Sequence, residues 1–189
     1  MVQDSRKNQK RRNSVEYFEL SQSPKVENPI VLTGLDRDVY CYAMSQKNFE
    51  ALDRLKAAYF SGSEQEEICD ILTVPTFMVS DGLKRLLAMY EKEIEFKGVQ
   101  VFPKTEESEQ YPMYWIPCFP EIECFHESSI INDNGMISSL VLDKERIEGQ
   151  HVFRLSGCLE YKVAVSMPVA ESILRRRFYG VGLKKLEVA

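Results

Sequence analysis

What this chain lacks narrows its chemistry before anything it contains. Nothing matches the phosphate-cradling patterns GxxxxGK[ST] or GxGxxG, and Gly180-Val181-Gly182 follows a helix instead of opening one. No GxSxG elbow is present, so no serine is marked as a strained nucleophile. Two histidines, His126 and His151, form no HxxxH pair, and five cysteines form no CxxC pair. The sequence therefore presents no metal site, no cofactor site and no catalytic set. No apolar run reaches the roughly 18 residues that span a bilayer, and the first fourteen residues lack the apolar core of a signal peptide. Cys41, Cys69, Cys118, Cys124 and Cys158 are odd in number and sit among apolar or mixed neighbours, as reduced thiols of a cytoplasmic protein would. No membrane partner is expected.

What is there is enough to fold. Of 189 residues, 44% are hydrophobic and 11% aromatic, which allows a proper interior. Charge is unevenly placed. Residues 1–14 hold Arg6, Lys7, Lys10, Arg11 and Arg12 against Asp4, a net of +4, so a total of −5 leaves the remaining residues with −9. Residues 1–14 read as a disordered basic tail, and the acidic body would repel nucleic acid and favour a basic protein partner. The polar stretch 104–110 divides an N-terminal α+β half, 15–105, from a C-terminal α+β half, 106–189, within one continuous unit.

One pattern recurs. Phe77-Met78-Val79-Ser80, a helical stripe of Leu83, Leu86, Leu87 and Tyr90, and Gly98-Val99 form the first copy. Val163-Ala164-Val165-Ser166, then Val169, Ile173 and Leu174, and Gly180-Val181 form the second, with its serine 86 residues on. Each serine is placed to cap a helix and each glycine to close it in the left-handed conformation. The pattern predicts two related strand–helix–strand units. Pro168 fits the second helix's first turn, and Arg175, Arg176 and Arg177 fit its negative end.

Elsewhere, Val15–Leu20, Val39–Met44, Ile137–Leu142 and His151–Leu155 read as strands. Ser45 as a cap with Phe49, Leu52, Leu55 and Tyr59 at helical spacing predicts a helix, and Glu64–Leu72 a short acidic one. Met113–Phe119 reads as a strand confined to an edge or bulged by Pro117. Asn132-Asp133-Asn134-Gly135 predicts a hairpin turn. The expected fold class is α+β, with mixed or antiparallel sheets and three or four helices.

The densest reactive stretch is Glu121, Glu123, Cys124, His126 and Glu127. On a strand, Cys124 and His126 would share a face and could form a thiolate–imidazole pair or two metal ligands. The competing reading is a half-buried strand edge with solvated acids. For a partner surface the choice is Tyr114, Trp115, Glu121, Glu123, Glu127 and Asp133, aromatic anchors with an acidic rim.

The order of features, Tyr17-Phe18-Glu19-Leu20, the Val79-Ser80 helix with Gly98-Val99, Tyr114-Trp115-Ile116, Glu121-Ile122-Glu123-Cys124, Leu140-Val141-Leu142-Asp143, Val152-Phe153-Arg154-Leu155 and the Val165-Ser166 helix with Gly180-Val181, resembles a bacterial immunity-protein-like family of polymorphic toxin systems, first catalogued as a domain of unknown function. The resemblance runs from about Tyr17 to Val188. The family usually carries Asp where this chain has Glu123 or Cys124, and no functional residue is transferred. The resemblance implies an intracellular, non-catalytic antidote that binds a toxin, a basic domain in many such systems. The alternatives are a structural or regulatory interaction module of another kind and a Cys124- or His126-dependent enzyme.

Overall fold

A computed structural model describes residues 16–40, 46–105 and 109–189. Three α-helices and thirteen strands follow one another in the described residues. The N-terminal part comprises β1 (Tyr17–Gln22), α1 (Gln46–Ala51), β2 (Leu55–Phe60), β3 (Ile71–Leu72), β4 (Met78–Ser80), α2 (Asp81–Tyr90) and β5 (Glu95–Pro103). After it come β6 (Met113–Cys118), β7 (Glu121–Ile122), β8 (Ile130–Ile131), β9 (Ile137–Ser139), β10 (Val141–Leu142), β11 (Val152–Leu155), β12 (Val163–Ser166), α3 (Met167–Leu174) and β13 (Val181–Val188). The fold is α+β. One sheet runs β10-β13-β1-β12-β11-β7, a second β2-β5-β6-β4-β3, and β8 and β9 pair as a separate hairpin.

The two strand–helix–strand units have the same topology. β4 and β5 both run antiparallel to β6, which lies between them. β12 and β13 both run antiparallel to β1, which lies between them. Each helix therefore joins two parallel strands separated by a third. The inserted strand is distant in sequence in one case and adjacent in the other, since β1 lies far before β12 and β13 whereas β6 directly follows β5. Leu83, Leu86 and Leu87 of α2 and Val169, Ala170 and Ile173 of α3 are buried in one core with Ile71 and Val79 of one sheet and Leu20, Val152, Val163 and Val165 of the other. Tyr17, Phe153, Leu155, Ala164 and Leu186 alternate to the opposite face of the six-stranded sheet and form a further core. Beneath the five-stranded sheet lies another, joining Phe49 and Leu52 to Ala58, Val99, Val101 and Tyr114.

Several expectations are corrected. Leu55–Phe60 is a strand, not the continuation of a helix. Its Ala58 and Phe60 are buried while Leu55 and Tyr59 are exposed, a period of two that the sparse helical spacing concealed. Only Gln46–Ala51 of the expected helix is helical; Ser45 lies outside the described residues. Glu64–Leu72 is no helix: it ends in β3, and Glu67 forms an isolated bridge with Pro29. Arg37–Val39 forms a 3-10 turn where a strand was expected from Val39, and 41–45 lie outside the described residues. β6 is the middle strand of its sheet, not an edge. Pro117 is tolerated because β4 pairs only with Tyr114 and Trp115, leaving Pro117 a partner on one side. Gly98 lies within β5, where a Cβ would come 2.6 Å from Met113 Cε and 3.0 Å from Leu55 Cδ1. Gly180, by contrast, has φ +74, with Cys69 Cβ only 2.8 Å from where its own Cβ would be. The helix α3 stops at Leu174, with Arg175 as its C-cap and Arg176 and Arg177 beyond it.

The serine caps also part company. Ser80 Oγ accepts from Leu83 N at 3.3 Å and donates to Asp70 Oδ1 at 2.5 Å. Ser166 makes no cap bond. Its helix has Pro168 where one N–H would be, and its hydroxyl lies 2.8 Å from His151 Nδ1. Asp70 is a joint between the units: its other oxygen accepts from Tyr179 N at 2.6 Å, and its own N–H donates to Tyr179 O at 2.8 Å. Among the described residues no helix is long and apolar enough to cross a membrane.

Replacing Asp70 by Ala removes the acceptor for both Ser80 Oγ and Tyr179 N, and should cost about 2 kcal/mol in urea unfolding; a loss under about 0.5 kcal/mol would place the joint elsewhere. Glu67 holds the neighbouring loop. Its carboxylate accepts from the Tyr179 hydroxyl and from the N–H groups of Asn28 and Glu27, and these bonds hold its pKa below the ordinary 4.5. A depressed carboxyl contributes fully above its unfolded pKa and loses that contribution as pH falls through the folded value. Glu67→Gln should therefore flatten the fall in melting temperature between about pH 5 and pH 3; an unaltered acid limb would refute this.

A candidate protein-interaction surface

β8 and β9 pair apart from both sheets. Asn132 to Gly135 turns the hairpin: Gly135 N donates to Asn132 O at 2.8 Å, Asn132 N to Met136 O at 2.9 Å, and Met136 N to Asn134 Oδ1 at 3.0 Å. Ser138 Oγ donates to Asn132 Oδ1 at 3.0 Å, tying the far strand to the turn. The hairpin is seated on two neighbours. Leu159 N donates to Gly135 O at 2.9 Å, and Glu160 Oε2 accepts from Ile137 N at 2.9 Å. At its root Ser129 Oγ donates to Val141 O at 2.7 Å, while Val141 N donates back to it at 3.0 Å.

This end of the molecule leaves apolar side chains in the open. Ile130 is 57% exposed, Met136 40%, and Leu159, against the turn, 66%. Along the chain from Glu121 to Glu160 eight carboxylates stand against Lys144, Arg146 and Arg154, a net of −5, while Lys162, Lys184 and Lys185 share a hollow with Ile137 to Leu140 on the β9 side. Arg154 is bound to Glu121 at 2.8 Å and Arg146 to Asp143 at 3.3 Å.

The residues chosen from sequence divide between two places. Glu123, Glu127 and Asp133 are exposed at the hairpin end. Glu123 Cγ and the Phe125 ring flank Gly157, two residues from Leu159. Glu121 is exposed on the edge strand β7. Tyr114 and Trp115 belong to the other sheet. Tyr114 is 1% exposed, with its hydroxyl donating to Cys69 O at 2.7 Å, and burial raises its pKa beyond the ordinary range. Trp115 is half-buried beneath Lys84, whose Nζ is 3.0 Å from the ring centroid. Desolvation lowers the Lys84 pKa, against the pull of Asp81. The exposed aliphatic side chains were not anticipated. The signal was the pair Ile130-Ile131 directly before the Asn132–Gly135 turn, apolar residues on a strand too short to be covered.

Cys124 and His126 do not lie on one strand. Cys124 is fully buried among Tyr17, Phe153 and Leu155. Burial, with Cys158 beside it, pushes its thiol up to about 12, which disfavours the thiolate a nucleophile needs. His126 is used by its own loop: Nδ1 lies 2.8 Å from Ser128 Oγ and accepts from Ser128 N at 3.2 Å. Among the described residues no three His, Cys, Asp or Glu side chains are grouped to hold a metal, and Cys69, Cys118, Cys124 and Cys158 are free thiols. With iodoacetamide at pH 8, Cys124 in the folded protein should label at least about a hundredfold more slowly than in urea. Peptide mapping by mass spectrometry reads this, and equal rates would mean the thiol is accessible.

A search of characterised proteins returns no match to the chain. A family model, described as an immunity protein family, matches residues 26–188, which include every element from α1 to β13 and leave out only β1. On that match the chain belongs to the immunity protein family Imm11.

Proposed function

We propose that the chain is a non-catalytic antidote of a polymorphic toxin system, which neutralises a cognate toxin in the cytoplasm by binding it directly, and that the β8–β9 hairpin is the face it presents. The observation that carries this is exposed Ile130, Met136 and Leu159 in a stretch of chain, 121–160, whose net charge is −5 and whose Glu123, Glu127 and Asp133 are exposed. Aliphatic side chains left in water at a hairpin end gain by being covered, and an acidic rim selects a basic toxin domain and speeds the encounter. Glu123, Glu127 and Asp133 form that rim, with Glu121 at its margin partly neutralised by Arg154. Tyr114 supports from within its own sheet, and Trp115 packs beneath Lys84 of α2. Family membership supports the class of function, and the buried Cys124 leaves the thiol chemistry without its reactive form.

The test is co-expression and binding with the toxin domain encoded beside this gene. Glu123→Lys, Glu127→Lys and Asp133→Lys together should slow association roughly tenfold or more and flatten its dependence on salt. Ile130→Asp should instead speed dissociation. Retained protection, with wild-type rates and salt dependence in the triple variant, would remove the hairpin from the interface.

A further inference from the structure

The run Arg175–Arg177 has more charge than its helix needs. Cations are favoured at a helix C-terminus, and two of the three are used there. Arg175 pairs with Glu171 at 3.1 Å, and Arg176 Nη1 donates to Ser172 O at 2.9 Å. Arg177 makes no hydrogen bond or ion pair among the described residues. With Arg176 and Arg85 it borders a groove of about 350 Å³. The facing wall is a stripe of α2: Gly82, Arg85, Leu86 and Met89 recur at i, i+3, i+4 and i+7. Phe178 closes the Gly82 end, where a Cβ would lie 3.2 Å from its ring. Asp81, bridged to Arg85 at 2.7 Å, offsets one of the three charges. Met89 is 68% exposed, and Leu174, just before the arginines, 75%.

Three guanidinium groups converging on an apolar groove repel one another, in a body whose net charge is −9. A carboxylate-bearing occupant would relieve that repulsion, since guanidinium and carboxylate match as a two-pronged pair. The stripe spans about 10 Å of helix, the length of about three extended residues. We propose that this groove is a docking site for an acidic polypeptide segment carrying an aliphatic side chain, which would lie on Leu86 and Met89 while its carboxylates meet Arg85, Arg176 and Arg177. A nucleic-acid backbone is disfavoured because it carries no aliphatic side chain to cover Leu86 and Met89. The proposal does not depend on the toxin-binding reading, which uses a surface of opposite sign.

The probe is a fluorescein-labelled hexapeptide, Leu-Glu-Glu-Leu-Glu-Glu, titrated with the full chain and read by fluorescence anisotropy. Binding should saturate at about 50 mM salt and weaken roughly tenfold at about 0.3 M. Arg177→Glu, which breaks no described bond, and Met89→Asp, at an exposed position, should each weaken it roughly tenfold while thermal unfolding stays unchanged; if Arg177→Glu lowers the melting temperature, Arg177→Gln gives the same reading. The double variant Glu127→Lys, Asp133→Lys at the hairpin should leave the peptide's affinity within about twofold. Absence of saturable binding, unchanged affinity in both groove variants, or an equal change in the hairpin variant would overturn the proposal. So would displacement by inorganic phosphate or a single-stranded oligonucleotide at lower concentration than by unlabelled peptide.

Discussion

Each of the two main sheets depends on a third strand, from outside the strand–helix–strand unit, being hydrogen-bonded into the middle of a crossover. A strand–helix–strand unit leaves its two parallel strands apart, with inward-facing N–H and C=O groups that must find partners. β1 fills that gap between β12 and β13, and β6 fills it between β4 and β5. The six-stranded sheet closes only when distant residues meet, Tyr17 pairing with both Ser166 and Leu186, whereas in the other the gap is filled by the next strand in sequence, Val99 pairing with Tyr114. The helices then bury their stripes against each other and against both sheets in one core. Asp70 ties the first unit's cap to the turn that opens the last strand of the second.

That dependence explains which features the sequence disclosed. α2 was legible because its apolar stripe and its Ser80 cap agree, although Gly98, expected to close it, lies within β5. The hairpin turn was legible because Asn132 to Gly135 sets its own backbone. Leu55–Phe60 was not, because Phe49, Leu52, Leu55 and Tyr59 fit a helical period by sampling a short helix and then alternate residues of a strand. What makes that segment a strand is β5 beside it, more than forty residues on in sequence. Pro117 misled for the same reason, since the rule about edges concerns neighbours and the extent of pairing along β6 is a tertiary fact. That Glu121, Glu123, Glu127 and Asp133 would be exposed could be read directly from the sequence. That Trp115 stands apart from them could not, because Pro120 lies where the chain leaves one sheet for the other, with its carbonyl accepting from Arg154 N at 2.8 Å.

Charge is sorted in space as well as along the chain. Exposed Glu127 and Asp133 flank a hairpin with open aliphatic side chains, while the guanidinium groups of Arg85, Arg176 and Arg177 line a groove beside α2. Both places combine one sign of charge with uncovered apolar surface, the composition of surfaces that meet other chains. Elsewhere, charges such as Lys162 with Glu19 and Lys56 with Asp36 are paired within the fold.

The single tryptophan offers an optical consequence. Trp115 Nε1 is buried with no hydrogen-bond partner among the described residues, and an ammonium group from α2 rests on the ring. Its emission should be blue-shifted and partly quenched in the native state, and any event that lifts α2 off the sheet would change its colour and brightness together. One intrinsic fluorophore thus monitors the seam between helix and sheet without a label.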